Sequence, residues 1–216
     1  MSQNKIYTYD ALMQMEKQYR AMFINSLGGF KSLQLLGTID EVGNTNLSVF
    51  SSIFHLGANP PLVGMVARPP GPQHDTLKNI KTTGFYTLNN VLADFYKEAH
   101  QASARYPSGD SEFKHCGFTE GYVDGFKAPY ILESSLSIGL ELKEIMPVTL
   151  NETSIIIGEI KWVKVDEGFV SDDGFVDLEK AGSVTASGLD SYHVTKKLAR
   201  LSYAKPEKFP EELNVK

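Results

Sequence analysis

Cysteine is nearly absent: Cys116 is the single one in 216 residues, so no disulfide forms within the chain. A reducing, cytoplasmic setting is the simplest expectation from that usage. No apolar run approaches the roughly 20 residues that a membrane-spanning helix needs. The start, "MSQNKIYTYDALMQMEKQYR", has no apolar core of the signal-peptide kind. Excess positive charge is missing too. Lys and Arg number 21 against 26 Asp and Glu, for a net charge of -5. That balance argues against a broad nucleic-acid-binding face.

Several catalytic signatures are also lacking. No Gly-x-Gly-x-x-Gly and no phosphate-loop lysine motif occurs, so a dinucleotide would bind without a Rossmann turn. There is no Gly-x-Ser-x-Gly elbow for a serine hydrolase. The five histidines follow no metal-ligand spacing, and neither Cys-x-x-Cys nor His-Glu-x-x-His is present. No metal site is expected. Internal repeats and low-complexity tracts are absent.

Short strand-like segments dominate what is there. "YDALMQMEKQYRAMFINSL" reads as one helix, capped by Asp10, with Leu12, Met15, Tyr19, Met22 and Phe23 near one face. Gly28 and Gly29 stop it. "SLQLLGTID" is a strand, and "TNLSVFSSIFHL" alternates so that Leu47, Val49 and Ser51 face away from Ser48, Phe50 and Ser52. "PLVGMVAR" is a short buried strand. "DTLKNIKTTG" is a helix with Asp75 as its cap and Gly84 as its stop. The strand "FYTLNNV" and the helix "LADFYKEAHQASARY" follow. "SGDSEFKHCGFTEGYVDGF" is rich in loop residues. "YILESSLSIGLELKEIMPV", "TSIIIGEIKWVKVDE", "FVDLEK" and "SYHVTKKLARLSYA" read as strands. The pattern predicts an α+β fold: an antiparallel barrel with peripheral helices. Residues 1–30 form a helical arm, 31–205 the barrel domain, and 206–216 a poorly ordered charged tail.

One stretch carries a binding pattern. Asn46, Ser48, Ser51 and Ser52 offer polar groups along an extended segment, suited to the edge of a flat heteroaromatic ring, and Phe50 can lie against that ring. Further on, Arg68, His74, Asp75 and Thr76 stand at a helix start, where free backbone N–H groups and the dipole favour an anion. A guanidinium fork suits phosphate oxygens. Read separately, each half is also consistent with an ordinary strand and an ordinary helix cap. Together they fit an extended mononucleotide.

"NLSVFSSIFHLGANPPLVGMVARP" followed by "HDTLKNIKTTGFYTLN" resembles the flavin reductase-like, FMN-binding split-barrel family. "YPSGDSEF" is similar to the "YP-x-G-x-x-EF" loop of its flavoredoxin-like branch, and "SGLDSYHV" to a Gly-x-x-x-Tyr segment near the end. The resemblance implies an antiparallel split β-barrel, a homodimer, and FMN (or FAD) as cofactor with NAD(P)H as co-substrate. It places Asn46, Ser48, Val49, Phe50, Ser51 and Ser52 along the flavin, and Arg68, His74, Asp75 and Thr76 at or beside its phosphate. Many relatives have lysine where His74 stands. Tyr192 and His193 become substrate-pocket candidates. A dinucleotide-reducing branch carries "GDH-T" where this chain has "LNETSIII", which puts Glu152 in place of a histidine thought to meet nicotinamide.

The implied reaction is hydride transfer from nicotinamide C4 to flavin N5, with the protein supplying orientation and no catalytic acid or base. Three readings stand side by side: an NAD(P)H-dependent flavin or small-molecule reductase, an FMN electron carrier that serves a redox partner protein, and a split-barrel binding module without flavin.

Overall fold

The computed structural model describes residues 4–69 and 75–213. The chain opens with α1 (Tyr9–Met13) and α2 (Lys17–Leu27), then β1 (Lys31–Ser32) and β2 (Gln34–Ile39). β3 (Thr45–Phe50), β4 (Ile53–Ala58) and β5 (Pro61–Ala67) follow, then α3 (Asp75–Thr83) and β6 (Phe85–Asn90). Two short helices, α4 (Tyr96–Gln101) and α5 (Glu112–Cys116), lead to β7 (Glu120–Gly121) and β8 (Tyr130–Ile131). The longest strands are β9 (Leu136–Val148) and β10 (Thr153–Val165); β11 (Thr185–Ser187) and β12 (Ser191–His193) close the set.

Seven strands form one antiparallel sheet in the order β3-β2-β6-β9-β10-β5-β4. β3 and β4 are its two edges, yet only Ser51 and Ser52 separate them in the chain. The three residue steps from Phe50 to Ile53 span at most about 11 Å. The sheet therefore curls until its edges almost meet, without pairing along their length: a split barrel. The Val66 N–H donates to the Ser52 carbonyl at 2.9 Å, holding the β4 side of the gap.

Alternation sorts the apolar residues onto two sides of this sheet. Leu36, Leu88, Tyr86, Leu140, Ile156 and Met65 fill the barrel, and Ile80 of α3 joins them. Leu33, Leu35 and Leu47 face outward into a second core with Phe113, Cys116, Ile131 and Val184. α5 is amphipathic enough to sit on that outer face: Phe113 and Cys116 are both buried, and Gly117, at φ 77°, ends the helix in the left-handed conformation that glycine adopts without strain. The strand expectations for β2 and β5 hold, as does the helix from Asp75 to its stop at Gly84, whereas "TNLSVFSSIFHL" is two strands, β3 and β4, broken at Ser51 and Ser52.

Other expectations differ too. The N-terminal helix is two helices: Thr8 caps α1, and the Glu16 carboxylate accepts from the N–H groups of Gln18 and Tyr19 at 2.8 and 3.0 Å, starting a new helix. The helix around "LADFYKEAHQASARY" covers only Tyr96–Gln101, and "SGDSEFKHC" contains α5. "FVDLEK" is a turn, because the Asp177 carboxylate accepts from the N–H groups of Glu179 and Lys180. Beyond His193 the expected long strand gives way to irregular chain tied by Lys197 to Asp177 and by Arg200 to Asp173. Residues of the tail up to Leu213 pair back on it, with the Leu213 N–H donating to the Arg200 carbonyl at 2.8 Å.

Candidate flavin site

β3 pairs with β2 on one side only, and its other edge opens onto a cleft. The Leu47 N–H leaves β2 and donates to the Glu112 carboxylate at 2.9 Å. In an antiparallel ladder, outward-pointing backbone groups recur every second residue. Leu35 lies opposite Val49 and Gly37 opposite Leu47, so Val49 shares the orientation of Leu47 and turns its N–H and C=O to the open edge. Glu112 covers the first of these positions and leaves the second.

The side chains of β3 and α3 meet beside this edge. Asn46 Nδ2 donates to Thr76 Oγ1 at 3.0 Å and lies 3.3 Å from Ser48 Oγ. The Ser48 and Thr76 hydroxyls are 2.7 Å apart. Asn46 and Thr76 are buried, so the three groups hold one another rigidly. Thr76 sits in the first turn of α3, where free N–H groups gather. Asp75, next to it, accepts from Ser108 Oγ at 3.1 Å.

The cleft has a volume of about 650 Å³, within the range of small-molecule sites. Asn46, Ser48, Val49, Phe50, Ser51, Ser52, Arg68, Asp75, Thr76 and Tyr192 all line it. These expected residues converge, although 116 positions separate Thr76 from Tyr192 in the numbering. His74 falls outside the described residues. His193 does not line the cleft: its Nε2 meets Ser187 Oγ at 2.9 Å and its ring packs edge-on to Phe30. It alternates with Tyr192 on β12, so it faces away. Glu152 does not line the cleft: it occupies the β9–β10 turn at φ 60°, two residues before Ser154, which pairs with Ala67.

Sequence reasoning missed several lining residues. Lys31, His100, Arg105, Tyr106 and Glu112 complete the walls. His100 Nδ1 and the Tyr192 hydroxyl are 2.6 Å apart. Burial, with a smaller contribution from Asp190, pushes the Tyr192 hydroxyl up in pKa. Tyr106 stacks on His115 at 4.5 Å, and His115 pairs with Asp110. Burial also raises the Glu112 carboxyl, and the charge of Asp75 adds to that; the Leu47 N–H acts in the opposite direction. "YPSGDSEF" contained the signal for Glu112, but only tertiary contact shows that its carboxylate reaches β3.

An edge with a free donor and acceptor, a rigid hydroxyl and amide cluster, an exposed arginine and aromatic walls form a donor set that fits a phosphorylated heteroaromatic ring. Residues 31–179 match the model of the flavin reductase like domain. The chain belongs to that family. A split-barrel protein from Shewanella frigidimarina NCIMB 400, assigned as a flavin reductase, is 48% identical with a TM-score of 0.90, covering 93% of this chain and 100% of that one. Nitrilotriacetate monooxygenase component B from Bacillus cereus shares the fold at 16% identity and TM-score 0.81, over 92% and 100% of the two chains. Flavoredoxin of Desulfovibrio vulgaris (Miyazaki F) shares it at 24% and 0.68, over 82% and 91%. The flavin reductase-like family uses a flavin, as cofactor or substrate, and its chemistry is that of an oxidoreductase. Among the described residues no helix is long and apolar enough to cross a membrane, and no group of three or more His, Cys, Asp or Glu is placed to hold a metal ion.

Proposed function

We propose that the protein is an FMN-dependent oxidoreductase that takes electrons from NAD(P)H and passes them to free flavin or another small acceptor. The observation that carries this reading is the open edge at Val49 beside the Asn46–Ser48–Thr76 cluster in one cleft. Val49, with Ser51 and Ser52 beyond it, would read the polar edge of the ring, and Phe50 would lie against it. Asn46, Ser48 and Thr76 would hold the sugar chain and phosphate, with Arg68 as counter-charge and Asp75 fixing the start of α3. His74 is retained as a phosphate-side candidate by its position next to Asp75. FAD is an alternative occupant.

When held there, FMN supplies two-electron chemistry, with hydride exchanged at N5 against nicotinamide C4. The protein's own part is electrostatic. A backbone N–H locked into a sheet edge stabilises negative charge on the ring without reorganising. Tyr192, held by His100, lines the same cleft, where a nicotinamide or acceptor would enter. No side-chain acid or base is assigned a catalytic step.

A homodimer belongs to the same proposal. α1 and α2 bury no residue, and Tyr19, Met22, Ile24 and Leu27 are exposed on α2, as are Phe54 and Leu56 on β4. An arm of this kind (residues 1–30) gains stability by packing on a second copy. The working unit is then 31–205, and the single cysteine suits a cytoplasmic setting.

The test is an absorption spectrum after mixing with FMN and desalting, followed by NADH and NADPH oxidation assays. A retained band near ~450 nm, as for a bound oxidised flavin, together with nicotinamide oxidation, is the expected result. Retained flavin without nicotinamide oxidation would turn the reading into an electron carrier serving a partner protein. No flavin affinity in an equilibrium titration would overturn it.

A further inference from the structure

Among the described residues, Glu112 is the one carboxylate that both borders the cleft and grips β3. Its Oε2 accepts from the Leu47 N–H, two residues before the open edge at Val49. The next side chain along β3, Ser48, touches Thr76. A phosphate held at Thr76 and Arg68 therefore arrives close to Glu112, within the span of a few residues.

Among the described residues no Lys, Arg or His forms an ion pair with Glu112. From α3, Asp75 faces it and raises the cost of its negative form. Lys78 lines a neighbouring hollow together with Asp75, Asp40 and Asp110. On α5, His115 acts the other way and favours the charged carboxylate, but it is already paired with Asp110 at 2.8 Å. Towards β7, Glu120 accepts from Thr45, whose hydroxyl also meets Ser111, the residue before Glu112. Arg68 and Arg105 line the cleft but are exposed, so solvent and salt screen them; Lys31 and His100 line it too, with Lys31 Nζ donating to the Gly188 carbonyl at 2.7 Å and His100 Nδ1 held by the Tyr192 hydroxyl. A third anion entering beside two carboxylates makes the neutral form of the more buried one favourable.

We propose that Glu112 is part of the flavin site and takes up one proton from solvent when a phosphorylated flavin binds. The proton adds to the carboxylate as an O–H bond on Oε1, because Oε2 is already occupied by the Leu47 N–H. Binding then tightens as pH falls. The same carboxylate holds the β3 edge in either state, since its carbonyl oxygen still accepts from Leu47. This rests on FMN occupying the cleft as proposed above.

Calorimetric titration of FMN and riboflavin, in buffers of different ionisation heat and at several pH values, tests it on the wild type and on Glu112→Gln. The phosphate of FMN has its own titration near pKa ~6, so the Gln variant supplies the baseline. The wild type is expected to take up more protons with FMN than the variant does. Its FMN affinity should fall more steeply with rising pH, towards a limit of about tenfold per pH unit for one full proton. Riboflavin, with no phosphate, should give the two proteins the same uptake. An infrared difference spectrum of the wild type on FMN binding should show a new protonated-carboxyl C=O band that riboflavin does not produce; this stands even if Glu112→Gln folds poorly. Equal proton uptake by wild type and variant, or no such band, overturns the assignment while leaving flavin binding intact. Absence of FMN binding in the wild type would instead remove the functional reading beneath it.

Discussion

Replacing Thr76 by Val exchanges a hydroxyl for a methyl at almost constant volume, and the surroundings of Thr76 define what is lost. Its Oγ1 accepts from Asn46 Nδ2 at 3.0 Å and shares a 2.7 Å hydrogen bond with Ser48 Oγ. Each such bond contributes about 0.5–1.5 kcal/mol net, and a stranded buried partner costs more than the average. Asn46 keeps only the longer contact to Ser48, so the flavin-free protein should lose about 1–3 kcal/mol. For a chain of this size that lowers Tm by about 2–4 °C per kcal/mol. The effect on ligand is separate. A hydrogen bond to a charged phosphate contributes about 1.5–3 kcal/mol, which corresponds to a loss of about 10–100-fold in FMN affinity. Riboflavin, which lacks the phosphate, should weaken by less than about threefold, the size of a small packing change. Fluorescence titration of both ligands, beside a melting curve of the free protein, checks the two parts. If FMN and riboflavin weaken equally, Thr76 holds β3 in place and does not meet the phosphate. If neither changes while Tm falls, the phosphate lies elsewhere in the cleft.

Two further predictions concern the scaffold. A Cβ added to Gly139 would fall 2.1 Å from Trp162 Nε1 and 2.2 Å from its Cε2, so Gly139→Ala must displace the indole from its packing on Phe126 and Tyr130. Overpacking of this sort costs about 1–3 kcal/mol, and thermal melting with tryptophan fluorescence should show a lower Tm and a shifted emission; an unchanged Tm would mean that the Trp162 wall is loose. On the outer face of β9 and β10, Glu141 and Glu159 each pair with both Lys143 and Lys161. Hydrogen bonds from the two lysines pull Glu141 down to about 2 and lower Glu159 as well. Because folding depresses these acids, their contribution is present above the ordinary carboxylate pKa near ~4.3 and is lost as pH falls towards the folded value. Tm measured across acid pH should therefore drop less for Glu141→Gln/Glu159→Gln than for the wild type, and a parallel acid profile would show that the network contributes nothing to folding.

The barrel was readable because its strands obey a simple rule of alternation. Leu35 and Leu36 on β2, and Leu47 and Phe50 on β3, fall into opposite cores as period-two patterning requires. The helix from Asp75 to Thr83 was readable for a different reason: an acidic start and a glycine stop, with Gly84 at φ 78°, are local signals. The N-terminal break was not, because Glu16 competes as a cap inside a run whose apolar spacing continues through it. "FVDLEK" failed similarly, since the Asp177 side chain satisfies the backbone of a turn where β-propensity alone suggested a strand.

At the site, residue types were readable and their connections were not. Alternation runs unbroken through Ser51 and Ser52, so nothing local reports that these two residues cross between opposite edges of a seven-stranded sheet. Yet that crossing leaves β3 an edge, and an edge is what exposes Val49. A central strand with the same residues would spend those backbone groups on a neighbour and could not offer them to a ligand. Glu112 makes the same point from the other side. It stands 65 residues from Leu47 and blocks only one outward position of the edge. Its carboxylate thereby limits both further strand addition at β3 and the stretch left open for a ring. The opening of this cleft comes from an incompletely paired sheet, and polar side chains stand beside it.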